Sequence, residues 1–173
     1  MGFELGLEKE FRQILKEKGL RRHDPFEQMV LDAEFLELEC NCDSEEVLSR
    51  ASEIISKKSG ISHDLILGAL LDRNRLGETP AEAGIALPHL LLNDADDFYL
   101  VLARSKGGLE FPMADEPINA IFVLLGNRKN PAQHLRFLAE IARRAEDSQF
   151  LDKWIKARGK DELVELLLSA EEK

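Results

Sequence analysis

The sequence predicts an α/β domain in which helices cover a β-sheet on both faces. Segments with apolar residues at helical spacing alternate along the chain with short apolar runs that are typical of strands. The run over residues 118–125 is nearly continuous in apolar residues, as expected for a central strand covered on both faces. At 173 residues, the chain is long enough for one such domain and a short added segment.

An additional helix is predicted before this domain. Apolar residues recur at helical spacing over residues 3–18, and Gly19 ends the segment. Because its apolar stripe is narrow, this helix is expected to pack on the domain or on a partner. We therefore divide the chain into an N-terminal helical extension or linker, residues 1–25, and a domain, residues 26–173. His23 lies in the connector and is interpreted as a solvated loop residue.

Capping residues predict where the helices of the domain begin. A side chain that can accept a hydrogen bond stands before each apolar-periodic segment. Leu65 and Leu135 are assigned to the buried faces of two of these helices. His63 lies in a first turn and is interpreted as an exposed capping residue. The predicted caps are Asp24, Asp43, Ser62 and Asn130, Gly60 closes the second helix, and short helices follow at 150–155 and 161–170.

Strands are predicted where apolar residues alternate or run together between turn signals. They cover residues 35–40, 98–103 and 118–125, and Gly107-Gly108 marks the turn between the last two. The acidic residues over 93–97 are interpreted as a solvated loop, because the glycine and the distal glutamate of a calcium-binding loop are absent.

Composition argues against several classes of function. An apolar fraction of 44% is ordinary for a globular protein, and no apolar run approaches the roughly 20 residues that span a bilayer. The net charge of −10 argues against a nucleic-acid partner. Cys40 and Cys42 are one residue apart and cannot link separate elements, and structural zinc takes about four ligands, so neither a disulfide nor a metal site is expected there. We therefore expect a reducing, cytoplasmic location.

The stretch from Ala83 to His89 carries the first candidate functional residue. Small residues, then apolar ones, then Pro88 place His89 at the end of a predicted buried strand. Because proline ends regular pairing, Pro88 is expected to hold the side chain of His89 out of the sheet. A neutral histidine ring is a nucleophile or a ligand. By itself, this pattern also fits a histidine with a structural role.

A second histidine and an arginine strengthen the case for chemistry at this stretch. His134 is the fourth residue of a predicted helix, whose N-terminal N–H groups attract anions and favour a neutral imidazole. Arg73 is a candidate clamp for a phosphoryl group. Phosphoryl transfer requires a nucleophile, hydrogen-bond donors and positive charge. The alternative is that His134 shares a helical face with Leu138 and Ile141 and only packs at the edge of the core.

Four further observations come from the segments Arg73–Thr79, Gly84–His89, Pro117–Leu125 and His134–Ala139. By their order and spacing, these segments resemble the mannitol/fructose-type enzyme IIA domain of the bacterial phosphoenolpyruvate-dependent phosphotransferase system, which includes a nitrogen-regulatory branch. The resemblance extends from about residue 26 to residue 168. It implies an α/β fold with a mixed β-sheet sandwiched between helix layers, to which the N-terminal helix is an addition.

The same resemblance implies a role for each site residue. His89 would be the phosphoryl-accepting histidine, His134 the second active-site histidine and Arg73 the phosphate-facing arginine. Thr79 and Pro88 would support the phosphate. The group would arrive from a histidine phosphocarrier protein and leave for a IIB domain, or act as a mark read by a regulated transporter or kinase. No metal and no cofactor is implied, since phosphohistidine is itself the intermediate.

Several positions depart from the family pattern around this site. Asn74 stands where glutamate is usual, and Leu90 replaces a small or polar residue and is expected to add bulk at the rim. The segment from Pro80 to Ala83 replaces a flexible, glycine-containing one. Within it, Glu82 is expected to bring a negative charge towards the phosphate, which would oppose transfer.

Two functions from different classes therefore remain open. The first is a phosphoryl carrier of a phosphotransferase system, which passes the group on or uses it as a regulatory signal. The second is an enzyme IIA-like regulatory domain that binds a partner without efficient phosphotransfer, such as the cytoplasmic tail of a membrane transporter or antiporter. In that case the N-terminal helix would be the tether to the membrane protein. A domain with inert histidines is a third alternative.

Overall fold

The computed structural model describes residues 24–39 and 42–169. The predicted N-terminal helix at residues 3–18, His23 and Cys40 lie outside the described residues. The helices and strands of the described residues are, in chain order, α1 (Pro25–Asp32), β1 (Glu34–Glu37), α2 (Ser44–Ser59), α3 (His63–Arg75), β2 (Ala81–Glu82), β3 (Ile85–Ala86), β4 (His89–Leu92), β5 (Tyr99–Leu109), β6 (Ile118–Asn127), α4 (Pro131–Ala145), α5 (Phe150–Lys156) and α6 (Lys160–Leu168).

The strands form one mixed sheet in the order β1-β5-β6-β3-β2, and β4 also pairs with β6. β5 and β6 run antiparallel through its centre, whereas β1 is parallel to β5, and both β3 and β4 are parallel to β6. β2 and β3 form a short antiparallel hairpin. The predicted α/β class and the mixed sheet are confirmed.

Alternate residues of the two central strands face two separate apolar clusters. On one face, Leu100, Leu102 and Phe122 pack in a cluster with α1, α4, α5 and α6. On the other, Val101 and Val123 pack with α2 and α3. Because a strand turns successive side chains to opposite faces, one apolar run fills both layers. Helices therefore cover the sheet on both faces, as predicted.

The four predicted helix caps are formed. Each capping oxygen accepts a hydrogen bond from a backbone N–H of the first turn, at 3.0 Å for Asp24, 2.9 Å for Asp43, 3.4 Å for Ser62 and 3.3 Å for Asn130. Gly60 ends α2 with a φ of 79°, a left-handed conformation that glycine adopts without steric cost. Short-range sequence therefore determines where these helices begin.

Gly107-Gly108 does not form the predicted turn. β5 continues through both glycines, with a shift of its register against β6 beyond Arg104. Gly108 has a φ of +84°, so the pair bends the strand and changes its register without ending it. The chain turns later, over Phe111–Ala114, where the carbonyl of the first residue accepts the N–H of the last at 3.1 Å.

The assignment of Leu65 and Leu135 to buried helix faces is wrong. Their exposed fractions are 47% and 66%. α3 instead buries Ile66 and Leu70, and α4 buries His134 on its inner face. Apolar residues at helical spacing can lie on more than one side of a helix, and the side that packs against the sheet becomes the buried face.

None of the helices in the described ranges combines the length and apolar character that a bilayer crossing requires. The longest of them, α2, has 16 residues and carries charged side chains through its length.

Candidate functional site

Pro88 interrupts the pairing of the chain with β6, and His89 lies directly after the interruption. β3 pairs with β6 at Ile85 and Ala86, and β4 resumes the pairing at His89, whose partner is Leu124. The prediction that His89 ends a strand is therefore wrong, because it opens β4. Proline lacks an N–H but keeps its carbonyl, and the carbonyl of Pro88 accepts the N–H of Leu124 at 3.0 Å, so the ladder is lost only briefly.

The ring of His89 is held by a backbone carbonyl. Its Nδ1 lies 2.8 Å from the carbonyl oxygen of Leu87. Since a carbonyl only accepts, Nδ1 carries the proton of the neutral ring and Nε2 carries the free electron pair. Burial lowers the pKa of His89, the hydrogen bond to Leu87 opposes that shift, and the charge of Arg73 adds to it. The ring is therefore neutral at neutral pH, with Nε2 as its nucleophilic atom.

His134 is the second ring of the site. It is 3% exposed, and its ring centroid lies 5.6 Å from that of His89, with the planes at 47°. Its Nδ1 is buried and has no hydrogen-bond partner among the described residues. Burial, followed by the charges of His89 and Arg73, lowers the pKa of His134 to about 4. The structure therefore places two neutral imidazoles side by side, which we call the histidine pair.

The first turn of α4 lies over the C-terminal end of β6, beside the histidine pair. A Cβ atom built on Gly126 of β6 would come within 2.5 Å of His134 Nδ1. In the connector between β6 and α4, Arg128 donates to the carbonyl of Leu91 in β4 at 2.9 Å. Because the N–H groups and the dipole of a helix N-terminus both favour negative charge, α4 adds a field that attracts anions at this place.

Arg73 supplies positive charge to the histidine pair from α3. It lies partly buried in the last turn of α3, and its charge lowers the pKa of both histidines. Within residues 24–39 and 42–169, its guanidinium has neither a hydrogen bond nor an ion-pair partner. Such a guanidinium can bind an anion through two parallel N–H donors. The structure thus brings His89, His134 and Arg73 together.

Thr79 and Pro88 are both buried close to this site. The segment that carries Thr79 is joined to the His89 stretch, because the carbonyl of Pro80 accepts the N–H of Leu87 at 2.9 Å. Pro88 acts on the site through the interruption of pairing. A role of either residue towards phosphate stays a prediction.

Two of the residues that depart from the family pattern, Leu90 and Asn74, are buried. Leu90 is 7% exposed and packs in the core cluster with α2 and α3, because it follows His89 in β4 and faces the other side of the sheet. The expected bulk at the rim is therefore wrong. Glu82 is exposed on β2, and the charge that shifts the pKa of His89 is that of Arg73. Asn74 is buried, and its amide donates to a serine hydroxyl of α2 at 3.3 Å.

Sequence reasoning missed two residues that shape the site, Phe98 and Gly126. The ring of Phe98 stacks on that of His134, with centroids 6.2 Å apart and planes at 25°. A Cβ atom on Gly126 would come within 2.6 Å of the Phe98 ring as well as close to His134. Phe98 looked like any apolar strand residue. A glycine inside a strand, which marks close approach of another group, was the signal that could have revealed Gly126.

The burial of His134 predicts a pH-dependent stability. The folded pKa of about 4 lies below the ordinary value of 6.5, so the folded chain binds fewer protons than the unfolded chain between these values. The contribution is complete above about pH 6.5 and is lost as the pH falls towards 4. As the pH falls across this window, we expect protonation of His134 to lower the free energy of unfolding by about 2–3 kcal/mol. Urea denaturation at a series of pH values measures this change.

His134→Phe is the control for this prediction, because it keeps an aromatic ring and removes the titrating group. Carboxylates titrate in both proteins, so the difference between the two pH profiles isolates His134. Parallel profiles for the wild type and the variant would contradict the expectation.

Two nitrogen regulatory proteins are similar in sequence to this chain. The one from Klebsiella oxytoca is 28% identical over 144 residues, which cover 82% of this chain and 89% of that protein. The one from Bradyrhizobium diazoefficiens is 30% identical over 110 residues, which cover 63% of this chain and 69% of that protein.

Two solved structures share the fold. The nitrogen regulatory protein IIA-Ntr from Neisseria meningitidis aligns with a TM-score of 0.71 and 22% identity, covering 77% of this chain and 91% of that one. Enzyme IIA for mannitol from Escherichia coli, in its complex with phosphorylated enzyme IIB, aligns with a TM-score of 0.63 and 20% identity, covering 78% of this chain and 94% of that one.

The family model described as "Phosphoenolpyruvate-dependent sugar phosphotransferase system, EIIA 2" matches residues 29–170. That match covers most of the chain and includes Arg73, His89 and His134. The chain therefore belongs to the EIIA 2 family of the phosphoenolpyruvate-dependent sugar phosphotransferase system.

Proposed function

We propose that this chain is a phosphoryl carrier that accepts the group on Nε2 of His89 from the phosphohistidine of a histidine phosphocarrier protein. The observation that carries the proposal is the 2.8 Å hydrogen bond from His89 Nδ1 to the carbonyl of Leu87, made beside His134 and Arg73. This bond leaves one ring nitrogen with a free electron pair in a neutral ring. Family membership supports the same role.

The transfer step balances without any further reactant. The electron pair of His89 Nε2 attacks the phosphorus of the donor, and a new N–P bond forms. The N–P bond to the donor imidazole breaks, and the donor nitrogen keeps that electron pair. The proton on His89 Nδ1 stays in place, and its hydrogen bond to Leu87 stabilises the positive charge that the phosphorylated ring gains. No metal or cofactor is needed in this step.

Three groups stabilise the charge that develops on the phosphoryl oxygens. The guanidinium of Arg73 binds two of them, and the N-terminus of α4 adds its positive field. Since Nδ1 of His134 is buried without a partner in the described ranges, we assign the proton of its neutral ring to Nε2, which donates to a phosphoryl oxygen. Thr79 and Pro88 support this arrangement from beside His89.

The phosphorylated chain passes the group to a IIB domain or serves as a signal to a regulated transporter or kinase in the cytoplasm. The two sequence relatives described above are nitrogen regulatory proteins, and this favours the regulatory use. The alternative, a domain that binds a partner without efficient phosphotransfer, rested partly on Leu90 and Glu82. Both arguments are weaker, since Leu90 is buried in the core and Arg73 provides the charge that acts on His89.

The experiment is incubation of the chain with phosphoenolpyruvate and the upstream carrier components, followed by native mass spectrometry and NMR. We expect one phosphoryl group per chain, stable in base and labile in acid, with the phosphorus coupled to Nε2 of His89. An unchanged native mass would overturn the proposal. Phosphate found on Nδ1 or on another residue would overturn the assignment of the nucleophilic atom.

A further inference from the structure

We propose that Phe98 is a positioning residue for phosphoryl transfer, whose ring, held against Gly126, fixes the plane of the His134 imidazole towards His89. This inference rests on the proposed function of the histidine pair and assigns a role to a residue that does not itself contact the phosphoryl group.

His134 needs such support because it lacks the usual one. The orientation of a functional histidine is ordinarily set by a hydrogen bond to its second ring nitrogen, and His89 has one, to the carbonyl of Leu87. In the described part of the chain, Nδ1 of His134 is buried and has no partner. Its ring plane is therefore set by packing.

Phe98 is the residue that provides this packing. Its ring lies nearly parallel to that of His134, at 25°, with centroids 6.2 Å apart. The rings of Phe98 and Phe137 meet edge to face, at 88° with centroids 4.9 Å apart, which fixes Phe98 in turn. The backbone N–H of Phe98 also donates to Asp97 Oδ1 at 2.8 Å. Phe137 thus holds the ring that supports His134, and Asp97 holds the backbone that carries this ring.

Gly126 opens the space in which the two rings meet. A Cβ atom there would lie 2.5 Å from His134 Nδ1 and 2.6 Å from Cε2 of Phe98, closer than real contacts allow. Gly126 is not one of the described glycines that have a positive φ, so its backbone conformation does not require glycine. Close approach of Phe98 and His134 to β6 does explain it.

Phe98→Leu tests the role, because leucine keeps apolar volume and removes the flat ring. We expect the phosphoryl-transfer rate at saturating donor to fall about tenfold, with an unchanged half-saturation concentration, since the ring is misplaced while the docking surface is intact. In NMR, the ring signals of His134 should shift, and its pKa should rise towards 6.5. Phe98→Tyr, which keeps the ring, should restore both properties.

Phe35→Leu is the matched control. Phe35 is also partly buried against the same apolar cluster, but it lies on β1 at the far edge of the sheet. This variant should keep the transfer rate and the His134 signals of the wild type. Unchanged His134 signals in Phe98→Leu would overturn the proposal. Equal transfer rates in Phe98→Leu and Phe35→Leu would overturn it as well. If the wild type accepts no phosphate, the proposed function fails, and the His134 spectra still test the positioning.

Discussion

His89→Gln is expected to abolish phosphorylation of the chain. Glutamine is close in size, but its amide nitrogen carries no free electron pair that could attack phosphorus. His134 cannot take over as acceptor, because the free electron pair of its neutral ring lies on the buried Nδ1, while Nε2 carries the proton. Native mass spectrometry after incubation with the upstream carrier components measures the result. The same incubation with His134→Gln should give slower phosphorylation, since that variant loses a stabilising group and keeps the nucleophile.

His63→Gln is the matched control for His89→Gln. His63 lies in the first turn of α3, and its Nε2 is 3.2 Å from the carbonyl oxygen of Ser49, so it belongs to local packing between α2 and α3. This variant should reach full phosphorylation at the rate of the wild type. A phosphate that persists in His89→Gln, or that disappears in His63→Gln, would show that the acceptor has been misassigned.

Arg104→Met is expected to lower the free energy of unfolding by about 2–4 kcal/mol. Arg104 is 2% exposed and donates to Glu37 at 2.5 Å, and its Nη1 donates to the carbonyls of Trp154 at 3.0 Å and Ala157 at 2.5 Å. Methionine fills the space of the stem but leaves these carbonyls, at the end of α5, without a donor. Glu37 is 43% exposed and stays hydrated, which limits the loss. Urea denaturation followed by circular dichroism measures it.

Arg158→Met removes a comparable ion pair at the surface and serves as the control. Arg158 pairs with Glu162 at i,i+4, and its side chain is 74% exposed. Exposed pairs contribute little, because water and salt screen them, so this variant should unfold almost like the wild type. Equal destabilisation by the two substitutions would contradict the view that burial gives Arg104 its effect.

Much of the fold could be predicted because its signals are local. A capping oxygen such as that of Asp43 acts on an N–H three residues away, and the apolar run of β6 reveals its burial through its own composition. The predicted turn at Gly107-Gly108 was wrong because the signal there is also local. Two glycines look alike in a turn and in a strand with shifted register, and only the pairing with β6 separates the two cases.

Some features of the candidate site could likewise be predicted from the sequence, and others could not. The resemblance pointed to His89, His134 and Arg73, residues that lie on three separate elements, and the fold brings them together. The side of the sheet on which Leu90 lies and the inner face of α4 could not be predicted, because each depends on which surface the element meets. Phe98 is close to His134 only because β5 and α4 both pack beside β6.

By itself, the sequence predicted where the four capped helices begin, which strand is central and which histidine is the candidate acceptor. Those features depend on residues within a few positions of each other, or on a motif that can be recognised as a string. The tertiary structure alone decided that Leu87 holds Nδ1 of His89, which leaves the free electron pair on Nε2, and that the ring of Phe98 lies against His134. These are contacts between specific atoms across the fold, and their geometry depends on the whole packed core.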